Sequence, residues 1–585
     1  MRPTFLAFQT AHRAIATSQI LLDTAGNNIA NVQTTGYSRQ RVDINSVSNG
    51  GYIQRYKPQG VTAGGGVEAK RVTRMRDQFL DARYRMQNSE DSKYASILSG
   101  LNDIENVLDQ VSAEGGLLAE IANFKKALDP MLENPPSNDM AMVVRNAAQK
   151  VASLLNTYSQ HIENVRDQQI YDLQNVHIDT NFNSIVENIA ALNKQINEEM
   201  AHGNTPNELL DERDLLFDKL SGLANIRVNI SPKWLSSTLK VEHVEVFLVD
   251  DNTGKEIDLI NDETYNTLSL VKNPDKTVSI NINSAFGNDN PRVRDATRYL
   301  TGGTIGGALN VINGKGAEFG SPLNEDNLFR GTLYYEGMLN TFAVNFAKTL
   351  NDINAYNPNG ELPRSFNVSS MYLADGVTLN TNYDNTDPYY DPELDNNTTP
   401  PKPAGAAAFN LSKHTNMIAD YASARRDLFE TIDGSGVITA GNIKISQDWL
   451  DDPMRLTVTQ PGDPSEGENI GRMIVAIEHG FAFYREGDSA KYPNALFNGT
   501  FEEYFTGVNA TLGLDVSLYT NYSKTSEHVM TTLFTARESV SGVNLDEEGV
   551  ALMAYQKSYN AAVRFFTVLD EAVDTIINSM GLVGR

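Results

Sequence analysis

Residues 541–580 read SGVNLDEEGVALMAYQKSYNAAVRFFTVLDEAVDTIINSM, and this stretch decides the architecture at one end of the chain. Its apolar positions are separated by alternating steps of three and four residues, which is the spacing of a heptad seam. From Leu552 onward, no proline or glycine interrupts the run until Gly581. The pattern predicts one continuous helix whose seam comprises Leu552, Tyr555, Tyr559, Ala562, Phe566, Leu569, Val573, Ile576 and Met580.

The start of this helix is also marked in the sequence. Residues 541–544 supply turn chemistry, and the side chain of Asn544 can cap the first turn. Asp546, Glu547 and Glu548 follow, where the positive end of the helix dipole favours negative charge. We therefore expect the helix to begin at Leu545.

The beginning of the chain carries a weaker form of the same pattern. A stripe of five apolar residues is diluted by His12 and Gln19, which fall on the same seam. Two half-apolar helices at opposite ends of a chain cannot each bury a stripe alone. We predict that they pair with each other and with neighbouring copies as a coiled coil. The N-terminal stripe consists of Phe5, Phe8, Ile15, Leu22 and Ile29.

Helical periodicity returns between residues 141 and 217. Residues 141–159 form one helical candidate, and residues 164–200 form a longer one with apolar positions from Tyr171 to Ile196. A third helix is predicted to start at Asn207, which is a plausible cap. Together these segments predict an elongated helical bundle that follows the N-terminal helix.

From about residue 225 the period becomes alternating. Apolar residues between Val241 and Leu248, followed by turn residues at 251–254, predict a β-hairpin in a strand-rich region that extends to about Arg330. Helical spacing reappears at residues 339–350 and again at 517–540. Residues 357–408 are rich in Asn, Asp, Pro, Thr and Tyr without a sustained period, which predicts an exposed insertion. Short strands and helices mix from residue 409 to residue 507, and the pattern there does not define a topology.

The sequence thus predicts a multidomain α+β protein. Paired terminal helices and an elongated helical bundle would carry inserted β-rich outer domains. The predicted domains are a terminal coiled coil (1–60 and 541–585), a helical bundle (61–225, 336–356 and 508–540), a β-rich domain (226–335), and an exposed insertion with a second outer mixed or β domain (357–507).

Composition excludes several classes of function. The chain has 585 residues, 74 acidic against 48 basic, for a net charge of −26. Such a surface repels nucleic-acid phosphates and anionic lipids, so we expect no nucleic-acid partner and no membrane partner. There is no cysteine, which excludes disulfides, thiolate metal sites and a cysteine nucleophile. Neither a signal peptide nor a stretch of about 20 apolar residues is evident.

A second informative stretch, residues 25–40, reads AGNNIANVQTTGYSRQ. Asn27, Asn28 and Asn31 can close a helix and bond to exposed backbone groups. Gly36 supplies the backbone freedom that a turn requires. This run resembles the signature of flagellar rod, hook and hook-associated axial proteins, which carry Asn-Asn-Ile-Ala-Asn, a short polar stretch and Gly-Tyr or Gly-Phe. Tyr37 to Gln40, with Arg39 between them, looks specifically like the hook-associated protein 1 family.

The other end of the chain resembles the same family. Residues 541–548, followed by Tyr555-Gln556 and Tyr559, are similar to its C-terminal signature, whereas rod and hook proteins generally lack the acidic triplet. Weaker matches are residues 208–215, a Gly-rich turn at 302–309, and residues 440–446. The resemblance covers most of the first 220 and most of the last 140 residues. The regions 234–295 and 357–408 depart from it.

The resemblance implies a structural subunit of the hook–filament junction. Copies would self-assemble into a helical ring, with the terminal helices (residues 1–29 and 545–580) lining the axial channel. The implied partners are the hook protein, a second hook–filament junction protein (FlgL-like), and an export chaperone (FlgN-like) that covers the C-terminal helix. The family also implies type III export to the extracellular flagellum without a cleaved signal peptide. We expect the terminal helices to be disordered in the free monomer and ordered in the assembly.

No residue set points to catalysis, to a cofactor or to a metal. The glycines near Gly302 lack the Lys-Ser/Thr of a phosphate loop. A calcium loop around Gly436 fails because Thr431 and Asn442 stand where carboxylates are needed. His243 and Glu245 would share one strand face, which we interpret as a solvated face rather than a metal site. Catalytic carboxylate pairs stay open in so acidic a chain, because nothing selects a particular pair.

Three alternatives remain at this stage. A hook or distal rod protein is disfavoured by the acidic triplet at 546–548. A flagellar surface protein with an adhesive or enzymatic central domain would differ in residues 225–507. A coiled-coil scaffold unrelated to flagella leaves residues 27–40 without an explanation.

Overall fold

The chain folds into two compact units with a multidomain α+β architecture, as the sequence predicts. Unit 1 comprises Met1–Leu98, Tyr171–Leu309 and Tyr519–Arg585, and unit 2 comprises Ser99–Ile170 and Asn310–Leu518. The structure is a computed structural model, and it describes residues 6–47, 64–112, 116–133, 137–234, 236, 240–250, 253–285, 293–320, 328–355, 426–459, 466–488 and 491–579.

Unit 1 begins with a helix and a two-stranded antiparallel hairpin. The helix is α1 (Leu6–Ala30), and the hairpin pairs β1 (Gln40–Ser46) with β2 (Val67–Arg74). A long helix, α2 (Gln78–Ser112), follows the hairpin. The register of the hairpin shifts between Asp43 and Ile44, where a bulge interrupts the ladder.

A continuous helical run confirms the predicted long internal helix and extends it. It consists of α4 (Asn138–Asp172), a π-helical stretch (Leu173–Asn183) and α5 (Ser184–Ala201). The separate helical candidate at 141–159 is therefore the first half of the same run. Apolar residues line its buried side, since Ile178, Phe182 and Ile189 are fully buried.

The prediction that Asn207 caps the next helix is wrong. Helix α6 (Asn207–Leu223) begins with Asn207 inside its first turn, and Pro206 occupies the cap position. The side-chain Nδ2 of Asn207 donates to the carbonyl oxygen of Val72 at 3.4 Å instead. The side chain of Asn207, which the local sequence predicts as a helix cap, therefore bonds to the β1–β2 hairpin instead.

Two antiparallel sheets follow α6, and the predicted hairpin after Val241 is confirmed. Alternate residues of β4, including Val244, Val246 and Leu248, are buried. One sheet has the order β3 (Ile226–Trp234), β4 (Lys240–Val249), β5 (Glu256–Asn261), β6 (Thr264–Tyr265), and the other has the order β7 (Thr267–Lys272), β8 (Val278–Asn283), β9 (Val293–Asp295).

The strands end at Asp295, earlier than the predicted limit near Arg330. The Gly-rich segment that we expected to be a turn is mostly helix α7 (Gly303–Asn313), followed by α8 (Gly316–Phe319). Its glycines are needed for close packing: a Cβ atom on Gly307 would lie 2.6 Å from the carbonyl oxygen of Lys93. Turn chemistry and helix packing both select glycine, and here packing decides the conformation.

Unit 2 is built around aromatic side chains. Phe342 and Phe346 on α9 (Thr332–Asn354) stack with ring centroids 6.0 Å apart, and Phe429 meets Phe346 at 5.4 Å. Helix α9 contains the predicted helix at 339–350. Helix α8 also lies wholly in this unit, together with α3 (Leu117–Glu133), β10 (Phe429–Thr431), β11 (Ile443–Ile445), α10 (Gln447–Asp451), α11 (Glu468–Glu478), β12 (Phe481–Phe483) and β13 (Phe497–Gly499).

The last two helices confirm the predictions made for the end of the chain. Helix α12 (Phe501–Ser541) includes the predicted helix at 517–540 and starts sixteen residues earlier. Helix α13 (Leu545–Asp574) begins at the predicted residue, and Asn544 Oδ1 accepts from the backbone nitrogens of Asp546 and Glu547. The predicted insertion at 357–408 lies outside the described residues.

Candidate assembly interface

Helix α1 lies between two neighbours that contact opposite sides of it. On one side it packs along α13, where the rings of Phe8 and Phe566 meet edge to face at 5.2 Å. On the other side it faces the β1–β2 hairpin: Arg13 Nη1 donates to the carbonyl oxygen of Gly65 at 3.1 Å, and Thr17 Oγ1 donates to that of Val67 at 3.4 Å. The two ends of the chain therefore meet directly.

Helix α13 is covered only along the seam that faces α1. Ala562 is 9% exposed, and most other seam residues are half-buried. A second apolar stripe on the same helix remains open to solvent, with Val550 64%, Phe565 46% and Val568 60% exposed. These three residues recur at helical spacing on a face beside the seam. The helix therefore presents more apolar surface than one partner helix covers.

The end of α1 is closed by a hydrogen-bonded turn. Asn28 is buried, its Nδ2 donates to the carbonyl oxygen of Gln40 at 2.9 Å, and its Oδ1 accepts from the backbone nitrogen of Gln40 at 2.9 Å. Gly36 has a φ of 84°, the left-handed conformation that glycine adopts without strain. Asn31 Nδ2 donates to Asn27 Oδ1 at 2.7 Å, which holds the helix end.

Tyr37 adds to this turn through its hydroxyl group, which donates to Asn28 Oδ1 at 2.9 Å. Burial raises the pKa of Tyr37 above its ordinary value, and the nearby carboxylates of Asp211, Glu208 and Glu548 raise it further. The phenol therefore stays protonated and remains a donor at neutral pH.

Arg39 joins the two ends of the chain through polar contacts. Its backbone nitrogen donates to the carbonyl oxygen of Ser541 at 2.8 Å. Its guanidinium Nε lies 2.7 Å from Glu548 Oε1, and its Nη1 lies 3.0 Å from Glu547 Oε2. Residues 25–40 and residues 541–548 are therefore in contact, although 509 positions separate Arg39 from Glu548.

Helix α6 contacts the same segment from a third direction. Asp211 accepts from the backbone nitrogen of Ser38 at 3.0 Å and from its hydroxyl group at 2.6 Å. Gln40 Nε2 donates to Glu208 Oε1 at 3.2 Å. The stretches 25–40, 208–215 and 541–548, which the sequence singles out separately, thus converge on Ser38, Arg39 and Gln40.

A buried network of arginines and aspartates lies next to this point. Asp214 accepts from Arg74 Nη1 at 2.8 Å and from Arg76 Nη1 at 3.0 Å, and Arg85 Nη2 lies 3.4 Å away. Four arginines meet four aspartates, so the charges balance. The members of this arginine–aspartate network are Arg74, Arg76, Asp81, Arg85, Asp211, Asp214, Asp218 and Arg537.

The network holds Asp214 in its charged form. Burial by itself raises the pKa of a carboxyl group, but the guanidinium groups of Arg76, Arg74 and Arg85 outweigh it and lower the pKa of Asp214 to about 2. Arg537 closes the network from α12, with its Nη2 2.6 Å from Asp218 Oδ2 and its Nε 3.1 Å from Asp81 Oδ1. The hairpin, α2, α6 and α12 are therefore tied together at the base of the terminal helices.

Comparison with known proteins identifies relatives of the chain. Residues 101–363 match the helical domain of the flagellar hook-associated protein FlgK, residues 537–580 match the C-terminal family of flagellar basal body rod FlgEFG proteins, and residues 8–37 match the flagella basal body rod protein family. Flagellar hook-associated protein 1 of Bacillus subtilis is 26% identical over 600 residues, which cover 100% of both chains. The chain is similar to flagellar hook-associated proteins along its whole length.

Two further relatives are similar to this chain over nearly their whole length. Flagellar hook-associated protein 1 of Escherichia coli is 21% identical over 583 residues, and that of Salmonella typhimurium is 22% identical over 588 residues. Both alignments cover 96% of this chain and 97% of the relative. A solved structure of the flagellar hook junction protein FlgK from Burkholderia pseudomallei aligns over 47% of this chain and 44% of that chain, at 23% identity with a TM-score of 0.37.

The structure places the predicted interface residues of this chain in two groups. The residues of the turn and of the Arg39 contacts form one connected set, whereas Leu545, the first residue of α13, is 51% exposed. The described seam residues occupy α1, α13 and, for Ile576, the π-helical stretch Thr575–Ser579 that follows α13, and the contact between Phe8 and Phe566 shows the pairing directly. Phe5 and Met580 lie outside the residues whose side chains are described. The half-buried seam residues are Phe8, Ile15, Leu22 and Ile29 on α1 and Leu552, Tyr555, Tyr559, Leu569 and Val573 on α13, with Phe566 and Ile576 more exposed.

Sequence reasoning missed the arginine–aspartate network. Its signal was present, because Asp211, Asp214 and Asp218 recur at intervals of three and four and so share one face of α6. Arg74 is the last residue of β2 and Arg76 follows two positions later, so the two form a closely spaced basic pair. No local sequence pattern, however, predicts that the acidic face of α6 contacts this basic pair.

Within the described residues, no group of three or more His, Asp or Glu side chains is placed to hold a metal ion. His243 Nδ1 lies 2.9 Å from Asp262 Oδ2, and its Nε2 lies 3.5 Å from Glu245 Oε1, on a half-exposed strand face. Asp433 Oδ1 accepts from the backbone nitrogen of Ser435, which makes a local turn. No helix in the described part of the chain combines the length and the hydropathy that a membrane span requires.

Proposed function

We propose that the chain is a structural subunit of the junction between the flagellar hook and filament, and that it assembles through α1 and α13. The observation that carries this proposal is the apolar stripe of α13 that α1 leaves uncovered. Val550, Phe565 and Val568 are exposed in a single subunit. A helix with one covered seam and one open stripe fits a structure in which each terminal helix pair packs against neighbouring copies.

Burial of this stripe supplies the driving force for assembly. Each fully buried apolar side chain contributes about 1.5–3 kcal/mol. The exposed stripe lowers the solubility of the free monomer. The net charge of −26 counteracts this effect, because like-charged monomers repel one another. Charge repulsion among subunits is screened by salt, whereas the apolar contact persists.

We also propose that the terminal helices are disordered in the free monomer and become ordered on assembly. On α13, only Glu548 and Ala562 are buried among the side chains that the structure describes. So few buried contacts within one subunit leave the conformational entropy of about thirty residues poorly compensated. Circular dichroism tests this: deletion of residues 1–29 and 545–580 should remove little helix from the free monomer. A large loss of helical signal would contradict the proposal.

The finer partners follow from the same exposed surface. We propose a helical ring of subunits with the hook protein on one side and a second junction protein on the other. An export chaperone would cover the apolar surface of α13 before the chain leaves the cell, by a type III route without a cleaved signal peptide. Size-exclusion chromatography with the chaperone tests this, because removal of residues 545–585 should abolish co-elution.

We propose no catalytic role for the chain, since its relatives are structural proteins of the flagellum. We further propose the four-part domain layout with boundaries near residues 60, 225, 335 and 507. Limited proteolysis would test these boundaries, because cleavage should concentrate at them rather than within α4 or α5.

The deciding experiment is deletion of the gene in a flagellated host. Cells without the protein should make hooks but no filaments and should shed monomeric flagellin into the medium. Normal filaments would refute the junction role.

Complementation with Val568→Asp should fail, because a charge on the open stripe opposes burial. Asn560→Asp, an exposed polar position on the same helix, is the matched control and should restore filaments. Normal assembly of Val568→Asp would refute the role of the stripe.

A further inference from the structure

The hairpin of β3 and β4 carries a tryptophan that the subunit leaves uncovered. Trp234 is the last residue of β3 and is 64% exposed. Its partner across the ladder is Lys240, the first residue of β4. Directly opposed residues of an antiparallel pair place their side chains on the same face of the sheet. This part of the hairpin therefore presents an indole ring beside an ammonium group.

This pair lies on a face of the hairpin that is buried elsewhere. Alternate residues of a strand share a face, so Lys240 is on the same side of β4 as Glu242 and Val244. Val244 is fully buried, and Glu242 still reaches α6 through its ion pair with Arg213. Beyond Glu242 the same face is open, at Trp234 and Lys240. An apolar side chain that continues a buried face into solvent marks a surface for another partner.

Edge protection explains part of this hairpin but not the tryptophan. Strand β3 is an edge of its sheet, and proline and lysine are residues that keep such an edge from pairing with a further strand. Pro232 and Lys233 are exposed on β3 and fit that role. An exposed tryptophan does not, since tryptophan is enriched where one protein docks on another. A contact at this edge is therefore made by side chains rather than by strand addition.

The two edges of this sheet differ in charge. The strand order β3-β4-β5-β6 makes β3 and β6 the edges. Residues 226–234, which form β3, contain two basic residues and no acidic one, whereas residues 256–265, which form β5, β6 and their turn, contain four acidic residues and no basic one. Lys240 and Glu263 are exposed, and neither takes part in an ion pair in the described part of the subunit. Opposite edges of one open sheet do not meet, so a second copy supplies the complementary charge.

We infer that the β3 edge of one copy docks on the β6 edge of a second copy, where Lys240 pairs with Glu263 of that copy. Tyr265 on β6 is half-buried and offers an aromatic surface on which Trp234 can pack. Two different surfaces meet, and contacts of this heterologous kind repeat into rings or helices. The inference rests on the proposed function for its place in a flagellar ring, but the contact itself belongs to the purified chain.

Because the chain contains no cysteine, two introduced cysteines can be cross-linked specifically. Asn229→Cys marks the β3 edge and Thr264→Cys marks the β6 edge, both at exposed positions. A mixture of the two full-length variants treated with a bismaleimide should give a cross-linked dimer, whereas either variant alone should give only background. Asn229→Cys mixed with Val293→Cys, an exposed position on the other sheet, is the matched control and should also stay at background.

Further substitutions test the direction of the contact. Trp234→Ala in the Asn229→Cys copy should lower the yield of dimer about tenfold, as when a tryptophan anchor is removed from an interface. Lys240→Glu in that copy should also lower the yield, and Glu263→Lys in the Thr264→Cys copy should then restore it. Lys240→Glu placed in the Thr264→Cys copy should have no effect, because the β3 edge of that copy is outside the cross-linked contact.

A dimer yield no higher than that of the Val293→Cys control would overturn the inference. The same conclusion follows if Trp234→Ala leaves the yield unchanged, or if Glu263→Lys does not restore the yield that Lys240→Glu lowers. Circular dichroism of each variant verifies that the sheet stays folded, which is expected because every substituted position is exposed. None of these measurements requires a flagellum, so failure of the junction role is distinguished by the gene deletion alone.

Discussion

Replacement of Asp214 by asparagine is expected to destabilise unit 1 by about 2 kcal/mol at neutral pH. The network lowers the pKa of Asp214 from 3.8 to about 2, and each unit of such a shift corresponds to about 1.4 kcal/mol. Removal of one partner from a buried ion pair costs about 3–5 kcal/mol in general. The smaller value applies here, because Arg74, Arg76 and Arg85 each keep a second aspartate when Asp214 loses its charge.

The pH dependence of this effect follows from the same shift. Because the pKa of Asp214 is lower in the folded than in the unfolded chain, its contribution is complete above about pH 4 and disappears as the pH falls through about 2. Urea unfolding followed by circular dichroism at pH 7, 4 and 2 measures it. The difference between the wild-type protein and Asp214→Asn should be nearly the same at pH 7 and pH 4 and much smaller at pH 2.

Asp43→Asn is the control for this experiment. Asp43 also pairs with two arginines, Arg41 and Arg71, but on the exposed face of the β1–β2 hairpin. Exposed pairs contribute little to stability, so we expect no measurable change at any of the three pH values. The reasoning is refuted if both variants lose the same stability at pH 7, or if the deficit of Asp214→Asn persists undiminished at pH 2.

A substitution at Gly36 tests the turn at the end of α1 by urea unfolding. Gly36→Ala should cost about 1–2 kcal/mol, because the φ of 84° at this position strains any residue with a Cβ atom. Gly513→Ala, in an open helical position of α12, should instead stabilise by about 0.5–1 kcal/mol, and equal effects of the two would contradict this explanation.

The terminal helices were predictable because their signals are local. The heptad spacing after Leu552, the cap at Asn544 and the acidic first turn all lie within one stretch of sequence, and each acts through neighbours a few residues away. The long internal helix was predictable for the same reason. The family resemblance was carried by runs of the same kind, at residues 25–40 and 541–548.

Failures of prediction share a different cause. Asn207 has the chemistry of a cap but bonds to Val72, and the glycines at 303–307 permit a turn but serve helix packing. In both cases a partner distant in the sequence decides between two locally acceptable roles. The first half of α12 was missed because Gly507 and Gly513 lie within it, and glycine normally weakens a helix. The arginine–aspartate network is the extreme case, since its members come from three segments (74–85, 211–218 and Arg537) that are more than a hundred residues apart, and no single segment encodes their contact.

Polar and apolar contacts have different roles at the terminal helices. Hydrogen bonds and ion pairs are directional, so those of Asn28, Arg39 and Glu548 specify one geometry within a subunit. Apolar contact is non-directional and scales with area, which suits a surface shared among copies. If the apolar stripe is the surface that copies share, a charge on Val568 should block filament formation, whereas the same charge at the exposed position Asn560 should not. Filament formation in strains that carry each variant measures this, and an equal loss of filaments in both would show that the stripe does not govern assembly.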